Sequence, residues 1–144
     1  MDHVVYVDAK ESELEKLING TKTAILRGAT GRKIPYGRLN PGDCLYFIRN
    51  NSEGLVHARA DVKAVMNSEA LTPKMSVKFV EENQEKLQFT PNQMRRWAGK
   101  RYLVLIDIGA VEKVEPFPID KSSYGNMDDW LPVGNIETVK VTAV

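Results

Sequence analysis

The alternation of hydrophobic and polar residues is clearest over residues 55–66, where apolar side chains occupy every second position. Successive side chains of a β-strand point to opposite faces of the sheet, so this pattern predicts a long strand with one buried face and one face in water. We expect the buried face to contain Val56, Ala58, Ala60, Val62, Ala64 and Met66. We expect the exposed face to contain Arg59, Asp61 and Lys63.

Six further segments are short, rich in β-branched or aromatic residues and bounded by turn residues, which is typical of strands. They are residues 3–7, 23–27, 44–49, 101–108, 111–119 and 136–141. Residues 121–134 follow no regular pattern and are expected to be irregular; this stretch contains Tyr124, Asp128, Asp129 and Trp130.

Helix signals occur at three places between these strands. Asp8 is a predicted N-cap with Glu11 completing a capping box, and Gly20 is expected to end that helix. Two Thr-Pro pairs predict the starts of the other helices, one from Thr72 to about Leu87 and one from Thr90 to Gly99. Short strands with few helices predict a small mixed β-barrel, and 144 residues suit a single domain over residues 1–144.

The charge distribution is polarised although the net charge is only +1. No acidic residue occurs in residues 16–42, which carry six cations: Lys16, Lys22, Arg27, Arg32, Lys33 and Arg38. The rest of the chain therefore carries a net charge of −5. Clustered charge of one sign favours a partner of the opposite sign, so we expect an anionic ligand; the alternative is a set of solvated loop charges.

Several function classes are disfavoured by composition. The longest apolar run, residues 102–106, is too short to cross a membrane, and residues 1–6 do not resemble a signal peptide. The single cysteine, Cys44, fits a reducing compartment, so we expect a cytoplasmic protein. The two histidines, His3 and His57, have no neighbouring ligand residues, so we expect neither a metal site nor a cofactor.

A short motif suggests a family. Gly20-x-Lys22-x-x-x-x-Arg27, directly after a short helix, resembles the signature of the ASCH domain of the PUA-like superfamily, and residues 40–45 resemble the turn into that family's next strand. The resemblance covers about residues 4–66. It implies an α+β fold, a small mixed, mainly antiparallel PUA-like β-barrel with flanking helices. It also implies a cleft floored by the motif loop and suited to nucleotides or single-stranded RNA.

The spacing of the motif constrains its two cations. Lys22 and Arg27 are five positions apart, so in one regular strand they would point to opposite faces. They converge only if Lys22 lies in the turn after Gly20 or if a bulge intervenes. We interpret Lys22 as a loop cation at the cleft mouth and Arg27 as a strand residue that reaches it. The alternative for Arg27 is an ion pair that braces the barrel, for example with Asp43.

Aromatic residues near the cations are candidates for base stacking, which contributes about 1–3 kcal/mol per base in single-strand binders. A second basic group, residues 95–102, contains Trp97. Because Trp97 lies three residues after Met94 in a predicted helix, we expect it in the core. Trp130, in the irregular stretch, is the candidate for a partly exposed ring.

The sequence thus predicts a protein that binds RNA or a nucleotide-like ligand in a basic cleft. The candidate binding residues are Gly20, Lys22, Arg27, Arg32, Lys33, Arg38 and Trp130. A further alternative is a protein-interaction adaptor whose basic loop meets an acidic partner.

The enzyme alternative is a small hydrolase acting on a modified nucleoside or on single-stranded RNA, with Lys22 as the candidate catalytic residue. Some small ASCH proteins resembling this chain hydrolyse acetylated cytidine with the motif lysine, a threonine three positions later and a glutamate. The threonine position is Ile25 here, and the candidate acids Glu69, Glu81 and Glu82 fall in or near a predicted helix. The residues therefore favour a binding protein over an enzyme, with no turnover of acetylated cytidine expected.

Overall fold

The computed structural model describes residues 1–125 and 129–141 of the chain. Their regular elements are seven strands and four helices, followed by a short 3-10 helix. The strands are β1 Asp2–Val7, β2 Ala24–Ala29, β3 Cys44–Arg49, β4 Leu55–Asn67, β5 Tyr102–Ile108, β6 Glu112–Pro118 and β7 Trp130–Gly134. The helices are α1 Glu13–Ile18, α2 Pro73–Glu82, α3 Gln84–Leu87 and α4 Pro91–Trp97, and the 3-10 helix is Ile136–Thr138.

The seven strands form one curled sheet in the order β2-β5-β4-β3-β1-β7, with β6 paired to β4 outside this path. Strands β1 and β3 are parallel, and the pairs that involve β4, β5 and β7 are antiparallel. The first half of β4 pairs with β3 and β6, whereas its second half pairs with β5. The sheet therefore curls into a half-barrel with helices against it, which confirms the predicted mixed α+β class.

The predicted alternation along β4 is confirmed only in its first half. Val56, Ala58, Ala60 and Val62 are buried as expected, but Ala64 and Met66 are exposed. The pairing with β5 shifts register between Val62 and Ala64, as it does at a β-bulge. One extra residue reverses the faces of every residue beyond it, so Val65 packs against the core in place of its neighbours. Arg59 is half-buried, whereas Asp61 and Lys63 are exposed as expected.

The first helix begins later than predicted. It starts at Glu13, and Asp8 caps the preceding turn by accepting the Glu11 amide at 3.2 Å. Glu13, not Glu11, reaches back to the Asp8 amide, with Oε1 accepting at 2.8 Å. Gly20 follows the helix with a φ of +82°, the left-handed conformation predicted for it.

The helices that follow β4 begin where the Thr-Pro pairs predict. Thr72 accepts the Met75 amide at the start of α2, and Thr90 forms a capping box with Gln93 at the start of α4. The predicted helix to Leu87 is instead two helices, because α2 ends at Glu82 and Asn83 separates it from α3.

The C-terminal part differs from the prediction at two places. β7 lies inside the stretch expected to be irregular, where it pairs with β1. Residues 136–141 do not form a closing strand; they contain the 3-10 helix and an isolated bridge between Ile119 and Lys140. Asp128 lies outside the described residues.

Strand β2, which carries Arg27, is buried on both faces. Ile25 belongs to the hydrophobic cluster inside the half-barrel, whereas Ala24 and Leu26 pack with Leu87 and Phe89 of the α2–α4 layer. Arg27 follows Ile25 at a spacing of two and so lies at the end of the inner face. None of the helices in the described ranges is long and apolar enough to cross a membrane.

Candidate functional site

A cleft of about 260 Å³ opens at the end of β2, between the loop that follows this strand and the end of α4. One wall is formed by β2 and its loop: Arg27, Gly28, Ala29, Gly31, Lys33, Ile34 and Tyr36. The other is formed by α4, the turn after it, β5 and one further residue: Arg96, Trp97, Lys100, Tyr102, Val104 and Asp129. We refer to this site as the basic cleft.

Gly28 allows the two walls to approach. A Cβ atom at this position would lie 2.7 Å from Leu103 Cδ2 and 3.1 Å from Lys100 Cβ. Real Cβ atoms essentially never show a contact of 2.7 Å and rarely one of 3.1 Å, so a larger residue at position 28 would require the Leu103 side chain and the Lys100 stem to shift. The glycine therefore allows close packing of β2 against Leu103 and Lys100 beside the basic cleft.

The charge of the basic cleft is strongly positive. Four cationic side chains line it, Arg27, Lys33, Arg96 and Lys100, against the single carboxylate of Asp129 among its described lining residues. Lys33, Arg96 and Lys100 are exposed, so their charges face the solvent at the opening. A concave surface of one sign focuses the field and attracts ions of the other sign, here anions.

Arg27 forms the floor of the basic cleft and is 5% exposed. Its Nη1 donates to the Leu26 carbonyl at 3.0 Å, and its Nη2 donates to the Tyr6 carbonyl at 2.9 Å. Its Nε is buried without a hydrogen-bond partner among the described residues. Buried donors are nearly always paired, and the acceptor nearest to this N–H is Asp129 Oδ2 at 3.5 Å.

The Arg27 guanidinium also contacts the half-buried ring of Trp97, with its central carbon 5.1 Å from the ring centroid. The guanidinium carbon of Arg96 lies 4.5 Å from the same centroid. We expected Trp97 in the core; it packs partly against the cluster beneath α4 and partly lines the basic cleft. Its position favours a role in shaping the ligand site.

The alternative considered for Arg27, an ion pair with Asp43, is not the one observed. Arg27 Nε lies 3.5 Å from Asp129 Oδ2, and Arg96 Nη2 lies 3.7 Å from the same oxygen. Asp43 instead lies beside His3, whose Nε2 is 3.0 Å from Asp43 Oδ2. Arg27 thus braces the barrel and lines the cleft at once.

The three loop cations predicted as site residues lie at or beside the opening. Lys33 lines the basic cleft. Arg32 stacks over the rings of Tyr36 and Tyr102, with its guanidinium carbon 5.8 Å and 5.4 Å from their centroids. Arg38 is exposed and lines a neighbouring depression together with Lys33. The loop of residues 30–43 therefore brings positive charge and aromatic surface to one place.

Lys22 is not at the mouth of the cleft, which corrects the position predicted for it. It is 2% exposed, and its Nζ donates to the Leu87 carbonyl at 2.7 Å and lies 3.4 Å from Glu13 Oε2. The ring of Phe89 packs against the ammonium group, with its centroid 4.7 Å away. Gly20 also lies away from the basic cleft, in the exposed turn before Lys22. The α3 segment therefore covers the lysine of the motif.

The buried pair of Lys22 and Glu13 has opposing effects on the two pKa values. Burial lowers the pKa of Lys22 to about 8, although the carboxylate of Glu13 acts in the other direction. Burial opposes ionisation of Glu13, but the charges of Lys22 and Arg27 outweigh it and hold the pKa of this carboxyl below its usual value. Both groups are therefore charged at neutral pH, and the pair fastens α1 to β2 and α3.

The lowered pKa of Lys22 predicts that the free energy of unfolding rises with pH above pH 8. Between about 8 in the folded state and 10.5 in the unfolded state, the unfolded chain binds more protons at this residue. Stability then increases with pH by at most about 1.4 kcal/mol per pH unit from this group. Urea denaturation from pH 7.5 to pH 9.5 measures this slope, and Lys22→Met should remove it. An equal slope in that variant would contradict the prediction.

Trp130 is buried and not partly exposed, which corrects a second prediction. Its ring is 3% exposed, and its Nε1 donates to His3 Nδ1 at 3.1 Å. The proton of the neutral His3 ring then lies on Nε2 and points to Asp43. Burial lowers the pKa of His3, although Asp43 acts against this, so the ring is neutral at neutral pH. Trp130 therefore supports the wall of the cleft and offers no face for stacking.

Sequence reasoning missed part of the basic cleft. Arg96, Lys100, Tyr102 and Asp129 line it, yet none of them was predicted as a site residue. The run of cations and aromatics at residues 95–102 was a usable signal, since it mixes the two residue types that bind phosphate and bases. No comparable signal pointed to Asp129.

The residues considered for hydrolysis do not assemble around a common point. Ile25 is buried, Glu69, Glu81 and Glu82 are exposed, and none of these four lines the basic cleft. Within residues 1–125 and 129–141, no group of three or more His, Cys, Asp or Glu side chains is placed to hold a metal ion. The arrangement is suited to holding an anion beside aromatic rings.

Comparison with known proteins rests on structure. No family model matches the chain, and no curated protein matches its sequence. A mutant of ZmASCH from Zymomonas mobilis superposes with a TM-score of 0.68 at 13% identity, covering 95% of this chain and 93% of that chain. ASCH from Zymomonas mobilis gives a TM-score of 0.65 at 12% identity, covering 90% and 85%.

A second mutant of ZmASCH gives a TM-score of 0.60 at 13% identity, covering 81% of this chain and 73% of that chain. At these identities the similarity concerns the fold alone. It agrees with the order of elements around the motif, in which a short helix, Gly20 and Lys22 precede β2. The chain therefore has an ASCH-like fold.

Proposed function

We propose that this protein binds single-stranded RNA or a nucleotide-like ligand in the basic cleft. The observation that carries the proposal is the buried guanidinium of Arg27, at the base of a cleft lined by three more cations and by aromatic rings. Its Nε has no hydrogen-bond partner among the described residues and lies 3.5 Å from Asp129 Oδ2. Phosphate needs positive charge and N–H donors, whereas bases need flat surfaces, and the cleft supplies both.

The roles follow from the position of each side chain. Lys33 and Lys100 are exposed at the opening, and mobile ammonium groups there suit phosphate oxygens. Arg96 offers a planar fork that can bind a phosphate bidentately or stack on a base. Arg27 is held rigidly by two backbone carbonyls, so it would present its charge with little loss of conformational freedom on binding.

The size of the basic cleft limits what enters it. Its volume of about 260 Å³ falls just below the ~300–1,000 Å³ typical of small-molecule sites. One nucleotide unit, free or within a single strand, suits this space better than a duplex, whose bases are paired and stacked away from such pockets. The resemblance to ASCH and other PUA-like domains supports the same class of ligand.

Arg96→Ala is expected to weaken binding of a short fluorescent single-stranded RNA about tenfold, corresponding to ~1.4 kcal/mol. If Arg96 contacts one phosphate, the slope of log K against log salt should also become shallower by about 0.7. Fluorescence anisotropy at several salt concentrations measures both quantities. The matched control is Arg95→Ala, since Arg95 is an exposed neighbour on α4 that donates to Asn92 and does not line the cleft.

An equal loss of RNA affinity in Arg96→Ala and Arg95→Ala would mean that RNA is held by general charge attraction. The assignment of the basic cleft as the binding site would then be wrong. Binding of an acidic peptide but not of RNA or nucleotides would favour the adaptor alternative. Lys10→Ala supplies a second control, because Lys10 is exposed and lies outside residues 16–42.

A further inference from the structure

Asp129 is the one carboxylate among the described lining residues of the basic cleft, where the other charged side chains are cations. A site built only for phosphate would exclude carboxylates, since like charges repel. Instead, Asp129 lies between two cations, with Oδ2 3.5 Å from Arg27 Nε and 3.7 Å from Arg96 Nη2. The two guanidiniums offset its charge and orient it towards the cleft.

The carboxylate is held in place but retains its capacity to accept hydrogen bonds. The Asp129 carbonyl accepts the Tyr6 amide at 2.9 Å, which fixes the backbone to β1. Both distances to the guanidiniums exceed the 2.7–3.2 Å of ordinary N–H···O hydrogen bonds. Neither carboxylate oxygen accepts a hydrogen bond from any residue that the structure describes, and the side chain is 31% exposed. Two adjacent acceptor atoms therefore remain available to a ligand.

Two adjacent acceptors complement two adjacent donors, and the nucleobases differ in this respect. Guanine presents N1–H and N2–H side by side on its Watson–Crick edge. Adenine and cytosine place one amino group beside an acceptor nitrogen, and uracil flanks its N–H with two carbonyls. A carboxylate thus forms a bidentate pair with guanine and meets a repulsive lone pair on each of the other bases.

We propose that Asp129 makes the basic cleft selective for guanine, in a free nucleotide or in single-stranded RNA. This inference rests on the proposed function and adds the base that the site prefers. Arg27 is then a positioning residue for Asp129, since its guanidinium offsets the charge of the carboxylate. Trp97 and the Arg96 guanidinium, 4.5 Å from its ring, supply flat surfaces beside the base.

The test measures dissociation constants for the 5′-monophosphates of guanosine, adenosine, cytidine and uridine by isothermal titration calorimetry. The unmodified protein should bind the guanosine nucleotide at least about tenfold more tightly than the uridine nucleotide, in line with bidentate base discrimination. Asp129→Asn should reduce that ratio to about one, because the amide presents one acceptor and one donor. The ratio is the readout, because loss of a negative charge by itself favours all four nucleotides equally.

Asp107→Asn is the matched control. Asp107 is similarly exposed, 33% against 31%, and pairs with Lys86 Nζ at 3.1 Å outside the basic cleft. Asp107→Asn should leave the ratio of affinities for the guanosine and uridine nucleotides unchanged. A uniform gain in affinity for all four nucleotides in Asp129→Asn, or no preference in the unmodified protein, would overturn the inference while leaving the proposed function intact. Absence of binding to every nucleotide and to RNA would overturn the proposed function itself.

Discussion

Lys22→Ala is expected to lower the free energy of unfolding by about 2–5 kcal/mol, the range measured when a long buried side chain is truncated to alanine. The substitution leaves the Glu13 carboxylate buried, 3% exposed, without the ammonium group that stands 3.4 Å from it. It also removes the donor to the Leu87 carbonyl and leaves a cavity beside Phe89. Urea denaturation at pH 7 measures the change.

Two variants separate this effect from general charge loss. Lys86→Ala breaks the exposed ion pair with Asp107 and should lower the free energy of unfolding by no more than about 1 kcal/mol. Combining Lys22→Ala with Glu13→Gln should be less destabilising than the sum of the two single changes, because the second removes the charge that the first leaves unpaired. A cost below 1 kcal/mol for Lys22→Ala would contradict the view that this lysine is structural.

Arg27→Ala is expected to affect stability and ligand binding together. Its two bonds to the Leu26 and Tyr6 carbonyls are lost, and a buried acceptor without a partner costs about 1–3 kcal/mol, so the loss in stability should be roughly 2–4 kcal/mol. RNA affinity should fall at least about tenfold, since the floor of the basic cleft loses its charge. Denaturation and fluorescence anisotropy measure the two quantities on the same sample.

Arg27→Lys distinguishes the contribution of charge from that of geometry. A lysine keeps the charge but cannot serve two carbonyls while standing beside Asp129, because its ammonium is a point charge and not a planar fork. We expect this variant to recover part of the RNA affinity at low salt and little of the stability. Full recovery of both properties would show that only the charge of Arg27 matters.

Local patterns predicted most of the strands, because burial of one face leaves a period of two in the sequence. The two exceptions depend on contacts that the local sequence pattern does not contain. At β4 the bulge near Lys63 shifts the faces, and a bulge depends on how the partner strand β5 pairs, which alternation alone does not record. Within residues 136–141, which were predicted as a strand, Ile136–Thr138 form a 3-10 helix, and Ile136 and Val139 pack with residues of β1 and β7.

The lining of the candidate site could be predicted only where its residues lie close together along the chain. Arg27 and Lys33 were candidates because they belong to residues 16–42, and both line the basic cleft. Lys22 was placed wrongly because the segment that covers it, ending at Phe89, comes more than sixty residues later. Trp130 is buried and donates to His3, which is 127 positions away in the sequence, and short-range reasoning does not reveal such a contact.

Arg27 joins the end of β2 to β1 through the Tyr6 carbonyl, whereas Arg96 and Lys100 extend from the periphery into solvent. The basic cleft therefore has a floor that is part of the barrel and a rim of exposed cations that is not. Exposed substitutions usually change stability by no more than about 0.5 kcal/mol. Substitutions at Arg96, Lys100 and Lys33 can therefore change ligand preference with little loss of stability. A substitution at Arg27 changes ligand binding and also lowers the free energy of unfolding.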